Sequence, residues 1–461
     1  MGKTSITLCA IKKLLDAGEI SKVLLIAPLR VCHSVWPPEI ALWKPFRDIK
    51  AVVMHGKNKR AALNAEADIY IINPAGLKWL LGFNKEDGTI DLEEWALFNF
   101  DMLVVDELSM FKDTGSKRFK MMKPILKTFG WRWGLTGSPA ANGLEGLFGQ
   151  CYMLDEGKTF GRFITHFRRK YFTSDFMGRK WTPSASSTAA LYKKIAPLCL
   201  RQDNSLVDMP KEIKNTMIVE LPAAARQVYT EVERDLISLL NTGKVTAVNA
   251  AALSSKCRQL AAGAVYLDED ILELERLPTK NRSWEEVHSE KVSALGELIS
   301  EQQGAPLLVA YDFHHDLDRL KNSFGGLSGV SYEGSFPYIA GGVSIGRGND
   351  LADAWNRNLL PVLFAQPRSI AFGLNLQGSA GSIVWFTPIY DYELYTQFNF
   401  RVCRPGNHAE HTIIHHIIAK DTVDEVVMAS LQNKGVVQNS FFSALKNFAS
   451  YRNEQVISNA G

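Results

Sequence analysis

The stretch that most constrains this chain is FDMLVVDELSMFK, residues 100–112. Residues 102–105 form a short, wholly apolar run, the pattern of a parallel strand covered on both faces. Asp106 and Glu107 follow at its carboxyl end, which in open α/β sheets is where ligands bind. A carboxylate there can hold Mg²⁺, and its neighbour can orient or deprotonate a water for attack on a phosphate; the same pair also suits a plain solvated strand end.

The chain around this run decides between the two. It opens MGKTSITLCAIKKLLDAGE, and Ile6, Leu8, Cys9, Ile11, Leu14 and Leu15 are spaced for an amphipathic helix that stops near Gly18. Gly2-Lys3-Thr4 directly before it has the form of the second half of a phosphate loop. Gly lets the backbone approach, Lys neutralises phosphate charge and Thr offers a hydroxyl to Mg²⁺. Further apolar runs, KVLLIAP at 22–28 and DIYIINP at 68–74, complete a βαβαβ rhythm with 101–105. That rhythm predicts a parallel, doubly wound sheet. RWGLTGSPAANG, residues 132–143, reads as a short strand entering a turn of small residues, where Thr136 and Ser138 can donate hydroxyl hydrogen bonds.

Residues 144–205 turn helical and basic. FGRFITHFRRKYF and the RKW of 179–181 interleave cations with aromatics, a pattern that fits a sugar–phosphate track and equally a helix carrying its Arg and Lys past a core face. Residues 206–290 read as mostly helical. A second α/β rhythm begins near Lys291, with strands expected at 307–311, 360–366, 381–388 and 411–419, and a final helix and tail from about 431. Two such lobes would leave a cleft suited to a nucleotide. In the second, SIAFGLNLQGSAGS places Gly373, Asn375, Gln377 and Gly378 in an expected strand-to-helix turn. QFNFRVCRPGN puts Gln397, Arg401 and Arg404 at spacings of four and three, one face of a helix. Paired arginines suit a phosphate chain, because guanidinium stays charged and binds oxygens bidentately; surface ion pairs are the plainer alternative.

Composition leaves this open. Lys and Arg number 52 against 49 acids, a net charge of +3 that neither demands nor excludes nucleic acid. The six cysteines form no CxxC pair, which points to a reducing compartment rather than a disulfide framework or zinc site. With no run apolar enough to span a bilayer, and Ile6 where an acylation signal needs Ser or Thr, a cytoplasmic location is expected.

Taken in order, GKT, IAPLRVCHSVWPPEIALW, INPAGL, VVDELS, LTGSPAANGLEGLF, LVAYDF, FGLNLQ and QFNFRVCRPGN resemble the successive motifs of superfamily 2 helicases. More narrowly they resemble the SNF2-type double-stranded DNA translocases, in the compact form carried by phages and prophages; a host-cell cytoplasm would then be the setting. APL followed by Trp36, Glu39 and Trp43, and LTGSP followed by NGLEGLF, are typical of that branch. LCLRQDNSLVDMPKE is similar to the stretch that closes the family's first half, with Arg201 in its arginine position. DTVDEVV is a further match.

The resemblance implies an α/β fold of two RecA-like doubly wound parallel-sheet lobes with helical insertions. The first lobe would span 1–205, a helical connector 206–290, the second lobe 291–430, and a helix and tail 431–461. It implies ATP and Mg²⁺ as cofactors and double-stranded DNA, forked or branched forms included, as partner. Gly2, Lys3 and Thr4 would hold ATP phosphates, with Gln397 and Gly373 also at the nucleotide; Thr4 and Asp106 would hold Mg²⁺. Glu107 would activate the attacking water, and Arg401 and Arg404 would act as arginine fingers. Thr136, Ser138, Asn375, Arg30 and Trp36 would couple nucleotide to DNA. Asn407 stands where the family has Gln, and VDELS replaces DEAH while keeping both acids. The first Gly of GxxxxGK[ST] and the strand before it would precede Met1, so a truncated or mis-started form of a longer protein is expected. Two other readings stay open: a non-hydrolysing DNA-binding or scaffold module, and a small-molecule kinase that would leave the second lobe without a purpose.

Overall fold

The computed structural model describes residues 2–82, 89–137, 140, 143–174, 181–200, 210–241, 247–267, 283–302, 304–327, 329–340, 345–370, 374–378, 381–404, 407 and 409–432. The chain divides into two compact units, residues 1–206 with 372–374 and residues 207–371 with 375–461.

In the first unit, β1 (Val23–Ile26), β2 (Ala51–Val53), β3 (Ile69–Ile72), β4 (Met102–Asp106) and β5 (Trp131–Leu135) form one parallel sheet in the order β2-β3-β1-β4-β5. The inner strands β1 and β3 are buried throughout and β4 up to its last residue, which explains why they are apolar without alternation. On one face, Val23, Leu25 and Val104 pack under Leu8, Ile11, Cys32 and Trp36. On the other, Ile26, Tyr70 and Val105 pack under Phe111, Phe119, Leu147 and Phe167.

The helix Lys3–Asp16 leads into β1 at the edge where the strands begin, because Asp101 at the start of β4 accepts hydrogen bonds from the Ser21 and Lys22 amides. Its apolar side lies along the sheet. At 1.5 Å per residue, its 14 residues cover about 21 Å, more than the length of β1. Its first turn therefore emerges where the strands end. The basic stretch after 144 holds the helices Leu147–Asp155, Ile164–Tyr171 and Ala185–Ile195. It also contains an unforeseen antiparallel hairpin of β6 (Phe172–Ser174) and β7 (Trp181–Pro183).

The second unit carries β8 (Lys211–Val219), the hairpin of β9 (Ala264–Tyr266) and β10 (Trp284–Glu286), then β11 (Leu307–Ala310), β12 (Tyr338–Ile339), β13 (Val362–Ala365), β14 (Ser382–Trp385) and β15 (His411–Ala419). Six of these form a second parallel sheet in the order β12-β13-β11-β14-β15-β8. β8 departs from the expectation of a mostly helical 206–290. As an edge strand it is largely solvent-facing, so KEIKNTMIV shows neither an apolar run nor a clean alternation. The helices expected there do follow, Ala223–Asn241 and Ala247–Ala262, joined through Tyr229, Cys257 and Leu260.

Charge is buried in this unit. Lys291 Nζ lies 2.6 Å from Asp424 and donates to the Phe386 carbonyl at 3.3 Å. Arg258 meets Asp312 at 2.7 Å. Arg319 donates to Glu286 and to the Ala262 and His288 carbonyls. Gly263, at φ 109°, makes room for the last arrangement: a Cβ there would stand 2.5 Å from Arg319 Nη2. Both units are thus α/β, helices flanking a parallel sheet. No helix among the described residues is long and apolar enough to cross a membrane.

Candidate active site

The edge where the first unit's strands end gathers most of the expected groups. Along β4, Val104 faces the helix Lys3–Asp16 and Val105 the opposite side, so alternation turns Asp106 back toward the first face. There the buried Trp36 indole donates to Asp106 Oδ2 at 2.9 Å. The Cys32 thiol is pushed up to about 12, first by burial and then by the negative charge of Asp106.

Glu107 has φ 68°, the left-handed region that a residue with a Cβ enters at a cost of about 1–3 kcal/mol. Its Oε1 accepts from Ser109 Oγ at 2.9 Å and lies 3.4 Å from Thr136 Oγ1 at the end of β5. The short helix after it, Leu108–Phe111, is packed closely by two glycines. A Cβ on Gly134 of β5 would stand 2.5 Å from the Leu108 side chain, and one on Gly149 would stand 2.4 Å from the Phe111 carbonyl.

Gly2 caps the helix Lys3–Asp16 with φ 59°, and Lys3 and Thr4 form its first turn, half-buried. Four amides at such an end lack intrahelical acceptors and carry partial positive charge, a ready setting for an anion. Arg30, just past β1, is half-buried; burial lowers its basicity and its Nη1 has no hydrogen-bond partner. Asp106 and the Thr4 hydroxyl are the hard oxygen donors that Mg²⁺ takes, and Mg²⁺ keeps several waters, so few protein ligands suffice. Among the described residues no group of three or more His, Cys, Asp or Glu forms a ready metal cage.

Two expectations are corrected here. Trp36 is fully buried, so its ring cannot lie against DNA; it acts on Asp106 instead. Arg401 and Arg404 do not share a helical face with Gln397, because the helix Tyr392–Asn399 has already ended and tight turns carry both arginines. Asn399 stands at that stop, its side chain accepting from the Trp385 indole at 3.0 Å. Arg404 Nη1 is 3.4 Å from the Asn375 side chain, while Gln397 Oε1 is buried without a partner. Asn407 closes the turn by donating to the Val402 carbonyl at 3.0 Å.

The segment 374–378 lies between the short helix Pro367–Ile370 and β14, not in a strand-to-helix turn. Trp355 and Asn356, which the sequence did not single out, staple it: Trp355 Nε1 donates to the Leu376 carbonyl, and Asn356 bonds the backbone of Asn375 and Gly378. Ser138, Arg201 and Gly373 lie outside the described residues.

A family model described as SNF2-related domain matches residues 1–266. The putative protein p41 of Acyrthosiphon pisum secondary endosymbiont phage 1 is 33% identical over 464 residues, covering 97% of this chain and 93% of that protein. The CHD3-type chromatin-remodeling factor PICKLE of Arabidopsis thaliana is 22% identical over 97% of this chain, which spans only 32% of that factor's length. Among solved structures, the Sulfolobus solfataricus SWI2/SNF2 ATPase core in complex with dsDNA is 19% identical, with 98% of this chain and 88% of that one covered and a TM-score of 0.38.

Proposed function

Because the chain belongs to the SNF2-related family, we propose that it is a DNA-dependent ATPase that couples hydrolysis to movement along duplex DNA. The observation that carries this reading is the pair Asp106 and Glu107 at the end of β4, on the edge where the helix beginning Lys3-Thr4 presents its first turn.

In this reading the triphosphate sits against that first turn, where the amides and the Lys3 ammonium offset its charge. Glu107 accepts the proton of a water as the water oxygen bonds to the terminal phosphorus, and the bond to the bridging oxygen breaks to leave ADP. The left-handed backbone at Glu107 and the Ser109 bond fix where that carboxylate points. Mg²⁺, held by Asp106 and Thr4, would neutralise phosphate charge; Trp36 keeps Asp106 oriented. Thr136 shares Glu107 and so can report DNA contact to it. The unpartnered Nη1 of Arg30 supports a phosphate contact there. In the second unit, Arg401 and Arg404 are proposed to supply positive charge to the transferred phosphate, and Asn375 to touch the DNA backbone.

The test is phosphate release with and without duplex DNA, for the wild type and for Glu107→Gln. Hydrolysis that rises with duplex and disappears in the variant is expected. A DNA-binding protein with no turnover in either form would replace the motor with a scaffold, and label transferred to a metabolite instead of water would make it a kinase.

A further inference from the structure

The motor reading leaves the helices Ile164–Tyr171 and Ala185–Ile195 without a task. Residues 157–200 contain nine Lys and Arg against one acid, Asp175, while the rest of the chain has 43 against 48. So concentrated an imbalance in a nearly neutral protein indicates a polyanionic partner.

The helices sort these cations by face. Phe167, Tyr171, Leu191 and Ile195 turn inward to the core. Arg168 is committed to structure, paired with Glu145 and stacked on Trp181 at 5.9 Å. His166, Arg169 and Lys170 are exposed on the helix Ile164–Tyr171, Arg162 is exposed just before its start, and Lys193 and Lys194 are exposed on the neighbouring helix.

Helix dipoles do not account for the set. A cation near each helix C-terminus is favourable, but Lys158 and Arg162 precede the helix Ile164–Tyr171, at the end that repels positive charge. Among the described residues, the acids beside Lys158 and Arg162 are already engaged. Asp155 accepts from the Gly157 and Thr159 amides, and Glu156 pairs with Arg132. Two exposed aromatics, Phe163 at 62% and Tyr192 at 47%, stand among the cations, as on surfaces that grip nucleic acid backbones.

We propose that this face, centred on Arg162, Arg169, Lys170, Lys193 and Lys194, is a nucleic-acid backbone-binding surface additional to the strand-end site. It rests on the reading of the chain as a DNA-acting protein, but it needs no hydrolysis. The contacts would go to phosphates, so binding there is strongly salt-dependent and indifferent to sequence.

The experiment measures duplex DNA affinity without nucleotide at several salt concentrations. It compares wild type, R162E/R169E/K170E, the neutral R162Q/R169Q/K170Q, and K50E/R234E/R357E, whose exposed cations are scattered over both units. Both R162 triples should bind at least about tenfold more weakly, with the slope of log affinity against log salt reduced by about 2–3, at about 0.9 per lost phosphate contact. The scattered triple should change the slope by less than one. Equal losses in all three, or unchanged slopes in both R162 triples, overturn the proposal. So does a face that binds anionic phosphatidylserine vesicles or polyglutamate while DNA affinity stays intact. The neutral triple covers the case in which charge reversal unfolds the unit. E107Q, if it binds DNA normally without turning over, separates failure of the motor from failure of this surface.

Discussion

In the first unit the ionisable groups assigned to chemistry, Asp106 and Glu107, stand half-exposed at strand ends, whereas the second unit encloses Lys291 and Asp424 at 0% and 1% side-chain exposure. Arg258 and Arg319 are likewise held inside, each by a carboxylate and backbone carbonyls. A half-exposed carboxylate can still exchange partners with solvent water or a metal ion. An enclosed one is committed to fixing elements to each other: Asp424 Oδ2, in the helix Val423–Gln432, ties it to the helix Glu290–Glu301 through Lys291 and to the end of β15 through the Ala419 amide, while Oδ1 is buried without a hydrogen-bond partner. In the proposed reading Asp106 and Glu107 serve reaction, whereas Lys291, Asp424, Arg258 and Arg319 hold elements together.

That contrast breaks if charge removal in the two units has the same outcome. The largest effect is expected from Lys291→Met, which leaves Asp424 buried and uncompensated. It should cost about 3–5 kcal/mol of folding stability, while Lys291→Met with Asp424→Leu should recover most of it, as denaturant unfolding would show. Glu107→Gln should do the reverse, lowering the hydrolysis rate about a thousandfold, ~4 kcal/mol in barrier, with the unfolding midpoint almost unmoved.

Acid sharpens the same difference. In the second unit, burial holds His288 and His416 down to about 4, with the Lys291 and Arg319 charges also disfavouring the cation at His288. The unfolded chain protonates these rings near 6.5. Their contribution is therefore complete above that pH and is lost as pH falls toward 4, about 3 kcal/mol for each histidine. Unfolding midpoints across pH 4–7 should slope accordingly, and His416→Asn should remove about one proton's share of the slope. The smallest effect is expected from Trp36→Phe, which deletes the indole bond to half-exposed Asp106 and should cost about 1 kcal/mol in an unfolding titration.

The buried strands were legible because residues 23–26, 69–72 and 102–105 have water on neither side and so carry no polar residue to blur them. The same logic hid β8, whose exposed edge position tolerates KEIKN, and β2, which has only three residues. The acids after β4 and the Lys3-Thr4 helix start could be read from local order alone. That Trp36 would donate to Asp106, 70 positions away, could not, since nothing in WPPEIALW marks which way an indole N–H points. The helical spacing of Gln397, Arg401 and Arg404 misled because periodicity does not encode where a helix stops. The stop at Asn399 coincides with a contact to Trp385 that exists only once β14 is in place.

Gly134 and Gly149 leave no space for even a methyl group against the turn that follows Glu107. At Gly149 the added carbon would meet the main chain of Phe111 and Lys112, which cannot swing aside, whereas at Gly134 it would meet the Leu108 side chain, which can. Gly149 is thus the stricter gauge of where the Glu107 carboxylate stands, since one added carbon there must displace backbone.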